Sequence, residues 1–378
     1  MNAPVLVDFH LSGREIRLFW LDPREGGTRV VTMDGLQEDL RAAADVIRRF
    51  SYNVNSNKPE RTSDMAWTEP LGERLLAPLL RAVPEGSTLV IAPHQRLHDV
   101  PVHLLKVAGW PVGLRYPVSY VPSLSLYGAL RRRGPRVKSG APVAFATAYA
   151  EQAGKVADAF TAAPEAFAAR AGGRVFLGAE ASRESLLSSA PEADIVYLSC
   201  HGAFSSIDAA DSALLLSHEG RQPSRGRPDD PAHRLTVRDV LGLDLKARLL
   251  ILDACMSGRQ HFRMGDEPLG FPAALLLAGA QAIVAANWSV DYRAAEVFMS
   301  ALLDNWIGGG PIGAAMLAAY RETHRKFPHP FHWAGFSLHG DDRLHYEGGS
   351  PPLPSRGGSE SSAAPAQSSG SQHRSPQP

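Results

Sequence analysis

The second half of the chain alternates short apolar runs with segments of helical spacing, and this alternation constrains the fold more than any other feature. The apolar runs predict strands at residues 141–146, 174–177, 194–199, 213–216, 248–252, 282–286 and 334–338. The segments between them predict helices at residues 150–171, 182–190, 236–241, 268–278, 296–306 and 311–326. Strands that alternate with helices form a largely parallel sheet covered by helices on both faces. The predicted fold class is therefore α/β.

The first 135 residues carry a different pattern. Apolar and polar residues alternate from residue 4 to 32, with turn formers at Ser12-Gly13 and Gly26-Gly27, which predicts a hairpin or short meander. Helices at residues 37–50 and 71–82 and a buried strand at residues 87–92 follow. The basic segment 131–140 is rich in Gly and Pro and predicts a linker, so we divide the chain into residues 1–135 and 136–345. Residues 346–378 have almost no large apolar side chain, which predicts a disordered tail.

Composition narrows the classes of function. Lys plus Arg and Asp plus Glu are both 39, so the net charge of the whole chain does not indicate binding to nucleic acid or to an anionic membrane. The longest apolar stretch, residues 272–288, is too short to span a bilayer and predicts a buried helix followed by a strand. The N-terminus lacks the pattern of a signal peptide. With only two cysteines and no zinc-like spacing, we expect a cytoplasmic protein that binds no metal.

Two predicted strands run directly into residues that can carry chemistry. The run DIVYLSC leads into His201-Gly202, and ARLLILDA leads into Cys255-Met-Ser-Gly258. The carboxyl ends of parallel strands share one edge of a sheet, so we expect His201 and Cys255 on the same rim, on adjacent strands. An imidazole beside a thiol can act as its base and later protonate a leaving amine.

Spacing and small neighbours favour catalysis over the alternative that Cys255 is a core thiol and His201 a loop histidine. The interval between the two residues is similar to the roughly 50 residues that separate the caspase histidine from its cysteine. Gly202 and Gly258 leave room for a peptide to approach the backbone. The amides of Gly202 and Cys255 are the candidate donors to an oxyanion. The sequence therefore predicts a His201–Cys255 catalytic dyad.

Longer motifs resemble a known family. VYLSCHGAF and LLILDACMSG resemble the paired histidine and cysteine motifs of the CHAT domain, a bacterial member of the caspase–separase clan, and DEPLGFPAALLLAGAQAIVAANWSVD and HPFHWAGFSLHG follow in order. Upstream, LVIAPHQRLHDVPVHLL and YPVSYVPSLSLYGAL resemble the segments that precede the catalytic half. The resemblance implies a caspase-like sheet flanked by helices, with residues 1–135 as a degenerate companion subdomain. It also implies peptide-bond hydrolysis without a metal or organic cofactor.

One position departs from the family pattern. Many CHAT domains resemble Ser-Ala-Cys at the nucleophile, whereas this chain has Asp253-Ala254-Cys255, which resembles the Asp-x-Cys of metacaspases and clostripain-like enzymes. A residue two before the nucleophile points to the same side, so Asp253 is a candidate to bind a substrate Arg or Lys. The alternative is that it pairs with a protein Arg or backbone amides. Asp291 is a second candidate acid, and Trp288 either walls a neighbouring subsite or packs in the core.

The leading hypothesis is a cysteine endopeptidase that cuts a protein partner after Arg or Lys. The resemblance implies regulated cleavage, as in bacterial defence systems, with a regulatory protein partner and a gasdermin-like effector as one substrate. The polar loop 218–234 carries candidate self-cleavage sites at Arg221, Arg225 and Arg227. The alternatives are a non-catalytic scaffold that binds proteins and an amidase or transferase that uses the same dyad.

Overall fold

The computed structural model describes residues 3–52, 65–133, 140–205, 207–262 and 268–348. Its strands are β1 (Val5–Ser12), β2 (Glu15–Leu21), β3 (Thr28–Asp34), β4 (Leu89–Ala92), β5 (Lys106–Val107), β6 (Trp110–Pro111), β7 (Val118–Tyr120), β8 (Val143–Ala146), β9 (Arg174–Leu177), β10 (Ile195–Ser199), β11 (His201–Ala203), β12 (Ala213–Leu215), β13 (Arg234–Thr236), β14 (Leu249–Asp253), β15 (Gln260–Phe262), β16 (Pro268–Gly270), β17 (Ala282–Ala286) and β18 (Phe336–Gly340). Its helices are α1 (Gln37–Tyr52), α2 (Thr68–Ala82), α3 (Leu124–Arg133), α4 (Lys155–Ala171), α5 (Arg183–Ser189), α6 (Val237–Leu241), α7 (Phe271–Leu277), α8 (Tyr292–Ile307), α9 (Ile312–Lys326) and α10 (Pro330–Trp333).

One 11-stranded sheet runs through both halves of the chain, in the order β3-β2-β1-β4-β7-β18-β17-β14-β10-β8-β9. The first three strands form the antiparallel meander predicted from residues 4–32, and β18 is antiparallel to β17. The other neighbours are parallel. Among β8, β9, β10, β14 and β17 of the second half, this is the arrangement that the alternation of strands and helices predicted. Strand β18 pairs with β7 on its other side, so it joins the first 135 residues to the rest.

Alternate side chains of the central strands enter two separate cores. In β14, Ile251 packs in the core that contains Phe298 of α8, whereas Leu252 packs in the core that contains Leu275 of α7. Successive residues of a strand point to opposite faces, so helices cover both sides of the sheet, as predicted. By the same alternation, Asp253 shares the face of Ile251, towards α4 and α8.

Several boundaries differ from the sequence prediction. The helix expected over residues 150–171 begins only at Lys155, because Gly154 has a left-handed φ of +59° and the residues before it turn instead of continuing the helix. The helix expected over residues 268–278 begins at Phe271, after the short strand β16. The strand expected over residues 213–216 lies outside the main sheet, in a three-stranded sheet formed by β11, β12 and β13.

The apolar stretch 272–288 divides between α7 and β17, as expected. Within the described ranges, no helix is both long enough and apolar enough to cross a membrane. The predicted linker begins inside α3, and residues 134–139 lie outside the described residues. Tyr346, where the predicted tail starts, packs its ring on Trp306 and donates its hydroxyl to the carbonyl of Ala171 at 3.2 Å. Residues 349–378 lie outside the described residues.

Candidate active site

Strands β10 and β14 bring the predicted dyad to one edge of the sheet. They pair in parallel with Ser199 opposite Asp253, and the amide of Cys200 donates to the carbonyl of Asp253 at 3.4 Å. Beyond this point Gly202 packs directly on the Cys255 backbone: a Cβ at residue 202 would lie 2.1 Å from the Cys255 carbonyl oxygen. The expectation that the two segments leave adjacent strands is confirmed. Only glycine at residue 202 allows this contact without a shift of the backbone.

The turn that carries Cys255 is fixed by the end of β17. The amide of Met256, which has a positive φ of 60°, donates to the Trp288 carbonyl at 3.3 Å, and the amide of Gly258 donates to the Ala286 carbonyl at 2.7 Å. The thiol of Cys255 is half-buried. Burial raises its pKa, while hydrogen bonds from the Ser289 hydroxyl and the backbone at Val290 act in the opposite direction. The resting thiol is therefore protonated at neutral pH.

His201 lies in a small cage of side chains. The ring of Tyr149 stacks on the imidazole with 3.9 Å between centroids, and the ring of Phe160 lies 4.7 Å away. The imidazole Nε2 is 2.7 Å from the Oε1 atom of Gln152. Burial, with a smaller contribution from the Arg225 cation, lowers the pKa of His201 to about 4. The imidazole is therefore neutral at pH 7 and has a lone pair to accept a thiol proton.

A cavity of about 70 Å³, counted as the space open to the centre of a water molecule, opens beside Cys255, between α4 and α8. Asp253 lines it at the end of β14, and the exposed side chain of Glu296 lines it nearer the solvent. Much of its wall is made of small alanine side chains, namely Ala159, Ala162, Ala163, Ala286 and Ala295. Such a wall leaves space for the aliphatic part of a long side chain.

Asp253 is the only predicted substrate-binding residue among those that line this cavity. Burial raises the pKa of its carboxyl from 3.8 to about 6, against a smaller opposite effect from the Tyr197 hydroxyl, which donates to Oδ2 at 3.4 Å. Within the described residues, no Arg or Lys side chain forms an ion pair with it. A carboxylate of this kind gains most from a cation that enters the cavity.

The other two candidate substrate-binding residues, Asp291 and Trp288, are not among the residues that line this cavity. Asp291 is the N-cap of α8, and its carboxylate accepts hydrogen bonds from the amide and the guanidinium of Arg293. Trp288 is 0% exposed, and its indole N–H donates to the Phe331 carbonyl at 2.8 Å. The interpretation of Trp288 as a subsite wall is wrong, because a fully enclosed side chain packs in the core, as the alternative had it.

The predicted polar loop 218–234 is held beside His201. The hydroxyl of Ser224 and the amide of Arg225 donate to the Glu151 carboxylate, and the amide of Ala150 donates to the Pro223 carbonyl at 2.9 Å. These contacts attach the loop to the turn that carries Tyr149 and Gln152. Sequence reasoning assigned that turn to a helix and so missed Gln152 as a neighbour of His201.

In the described part of the chain, no group of three or more His, Cys, Asp or Glu side chains is placed to hold a metal ion. The geometry instead offers a thiol, a neutral imidazole and an acidic cavity. Together these groups can support nucleophilic attack by a cysteine on a carbonyl carbon whose neighbouring side chain enters the cavity.

Solved structures with a similar fold include two crystal structures of the Saccharomyces cerevisiae separase–securin complex, at 2.6 and 3.0 Å resolution. Their TM-scores are 0.56 and 0.59, with 11% sequence identity in both. The matches cover 89% and 90% of this chain and 30% of the solved chains. At this identity the likeness concerns the fold alone, which is the caspase-like fold of separase.

Curated relatives include Tetratricopeptide repeat protein 28 from Mus musculus, which is 26% identical over 366 residues. The Homo sapiens protein of the same name is 27% identical over 192 residues. The matches cover 80% and 44% of this chain but only 15% and 8% of those proteins, so the chain corresponds to a small part of each. In a family comparison, residues 66–341, well over half of the chain, match the CHAT domain. The chain therefore belongs to the CHAT domain family.

Proposed function

We propose that this protein is a cysteine endopeptidase that cleaves a protein partner after Arg or Lys. The observation that carries the proposal is the position of Asp253, which lines an alanine-walled cavity together with Cys255. An Arg or Lys side chain has an apolar stem and a cationic head. The alanines match the stem and the carboxylate matches the head, so the scissile carbonyl would lie next to the thiol.

Catalysis would start from the neutral dyad. As the Cys255 sulfur attacks the carbonyl carbon, the thiol proton moves to His201, and the amides of Gly202 and Cys255 donate to the oxyanion. The imidazolium then gives the proton to the leaving amine, which breaks the peptide bond and leaves a thioester on Cys255. Water, with His201 again as base, hydrolyses the thioester and restores the enzyme.

A protein partner is also proposed from the comparison with separase. The solved structures are of separase in complex with securin, which is another protein. By analogy, we propose that the edge of the sheet around Cys255 receives a segment of a folded or extended protein. A gasdermin-like effector and a separate regulatory protein remain candidate partners to be tested by direct incubation.

The test is a panel of fluorogenic peptides that differ only in the residue before the cut: Arg, Lys, Gln and Asp. We expect cleavage after Arg and Lys, and none with Cys255→Ala. Activity that persists in Cys255→Ala would overturn the mechanism, and a preference for Asp would overturn the specificity. A wild-type protein that binds a partner but cleaves none of these peptides would favour the scaffold alternative.

Self-cleavage in the loop 218–234 stays a prediction. The loop is fixed by Glu151 next to His201, and Arg221, Arg225 and Arg227 are exposed. If the pocket accepts Arg, the wild-type protein should lose intact mass on incubation with a cut after one of these residues. Intact mass that is identical for wild type and Cys255→Ala would exclude this cleavage.

A further inference from the structure

We propose that Gln152 is a positioning residue that fixes the tautomer of His201, so that Nδ1 is the nitrogen that accepts the thiol proton. This inference rests on the proposed peptidase function for its catalytic meaning. The position of the proton on His201 is a property of the free protein and does not depend on that function.

The first step is the orientation of the Gln152 amide. Its Oε1 atom is 2.9 Å from the backbone nitrogen of Tyr149 and 2.7 Å from the His201 Nε2 atom. The oxygen and nitrogen of a glutamine amide are usually assigned from their hydrogen-bond partners. The Tyr149 N–H can only donate, so its partner on Gln152 has to be the oxygen. A reversed amide would place two donors against each other.

The second step follows from the first. An amide oxygen carries no hydrogen, so the hydrogen bond between it and His201 requires the proton on Nε2. Burial keeps the imidazole neutral, because it lowers the pKa of His201 to about 4. A neutral imidazole has one N–H, and the lone pair is therefore on Nδ1. The stacked Tyr149 ring, at 11° to the imidazole plane, restricts rotation of the ring.

The turn around Gln152 is itself well supported. The amide of Gln152 donates to the Tyr149 carbonyl at 2.9 Å, and Gly154 ends the turn with a left-handed φ of +59°. Glu151 binds the loop through Ser224 and the amide of Arg225. The charged groups that influence the site are thus Arg225 and Glu151, together with the titratable Tyr149, Cys200 and Cys255.

The proton balance explains what Gln152 would do during the reaction. The thiol proton goes to Nδ1 and from there to the leaving amine, while the Nε2 proton stays in its hydrogen bond to Gln152. That bond becomes charge-assisted when the imidazolium forms, so it strengthens at the step where positive charge develops. This is the part that a carboxylate or amide plays when it orients a catalytic imidazole.

The experiment uses Gln152→Leu, Gln152→Glu and the matched control Gln37→Glu. Leu removes the acceptor at similar size, whereas Glu keeps the acceptor and adds a charge. Gln37 is the first residue of α1, where a carboxylate is compatible with the helix. Nitrogen-15 NMR of the imidazole, assigned with a His201→Ala sample, reports which ring nitrogen carries the proton. Thermal unfolding identifies any variant that fails to fold.

In the free wild-type protein we expect a protonated Nε2 and an unprotonated Nδ1 on His201. Gln152→Glu should raise the His201 pKa by about one unit or more, because a carboxylate at hydrogen-bond distance favours the imidazolium. The acid limb of peptide cleavage should then move to higher pH by the same amount. Gln152→Leu should lower kcat about tenfold or more, with little change in KM, since the tautomer is no longer selected. Gln37→Glu should change none of these quantities.

A protonated Nδ1 in the wild type overturns the inference, as does a Gln152→Glu protein with an unchanged His201 pKa. The NMR measurement needs no peptide turnover. A protein that cleaves no peptide but has the expected tautomer and the expected pKa change would therefore refute the proposed function and leave the role of Gln152 in the free protein supported.

Discussion

Replacing Asp253 by Asn should make the protein more stable and less able to cleave after Arg. Asn keeps the shape of the side chain and an oxygen for the Tyr197 hydroxyl, which donates to Asp253 at 3.4 Å, but it removes the charge. In the free protein that charge is destabilising, since burial raises the pKa of Asp253 from 3.8 to about 6. In a complex with an Arg peptide, the same charge would pair with the guanidinium.

The sign of the stability effect follows from the direction of this pKa change. The folded pKa lies above the unfolded value, so the folded state binds the proton more tightly and loses stability as the pH rises from about 4 to above 6. A shift of this size corresponds to about 3 kcal/mol for complete burial. The carboxyl lines an open cavity, so water reduces the effect, and we expect about 1–2 kcal/mol at pH 7.5.

Substrate recognition should change in the opposite direction. Truncating one member of a buried charge pair costs about 2–5 kcal/mol. For a peptide with Arg before the cut, kcat/KM should therefore fall about 30-fold or more, with a much smaller change for Gln at the same place. Because the carboxylate has to be ionised to pair, the wild-type preference for Arg over Gln should also decline as the pH falls through about 6.

Thermal unfolding at pH 4, 5.5 and 7.5, together with both peptides, measures these effects. Asp253→Asn should melt a few degrees above the wild type at pH 7.5 and at the same temperature at pH 4. Asp291→Asn is the control, for which we expect a change in stability of the opposite sign. The Arg293 hydrogen bonds hold the Asp291 pKa below its usual value, so this variant should be less stable at neutral pH and keep the Arg preference. An Asp253→Asn protein that melts below the wild type at pH 7.5, or cleaves the Arg peptide equally well, would refute the reasoning.

Three further predictions concern the dyad. Gly202→Ala should lower kcat about 100-fold, because its Cβ would lie 2.1 Å from the Cys255 carbonyl oxygen. The control is Gly226→Ala, whose Cβ would lie 3.7 Å from the Ser224 Oγ, and this variant should cleave peptides as the wild type does. Arg225→Ala should move the acid limb of the pH–rate profile to higher pH, since the Arg225 cation lowers the His201 pKa. The shift should be slight because burial accounts for most of the pKa change. An acid limb that moves to lower pH would contradict the position of Arg225 near His201. Iodoacetamide should modify Cys255 before Cys200 in peptide mapping, because Cys200 is 2% exposed and its thiol pKa is raised further by burial; equal labelling would count against the described burial.

The parallel arrangement of the strands could be predicted from the sequence because local patterns encode it. Apolar runs such as residues 194–199 and 248–252 are short and bounded by turn formers, and the structure has β10 and β14 there as parallel neighbours. The carboxyl ends of such strands necessarily share an edge, so the positions of His201 and Cys255 followed from topology alone. The side of the sheet on which Asp253 lies followed from the two-residue period of a strand.

Other features could not be read from local patterns. Trp288, a candidate subsite wall, is fully buried, and Asp291, the second candidate acid, is the N-cap of α8. Gln152 lies in a stretch with good helical spacing, and only the left-handed Gly154 interrupts it. The contact between Gln152 and His201 joins residues that are far apart in the sequence, so no periodicity could indicate it.

The sequence by itself therefore determined the α/β class and placed the Cys255 thiol and the His201 imidazole at one edge of the sheet. It could do so because strand period and strand polarity are local properties of the chain. Tertiary structure decided the state of those groups. The neutral imidazole, the protonated thiol and the Asp253 pKa of about 6 arise from burial by elements distant in the sequence. The cavity exists only where α4 and α8 pack side by side. Burial depends on the complete fold, and for that reason the protonation of the site could be derived only after the chain was folded.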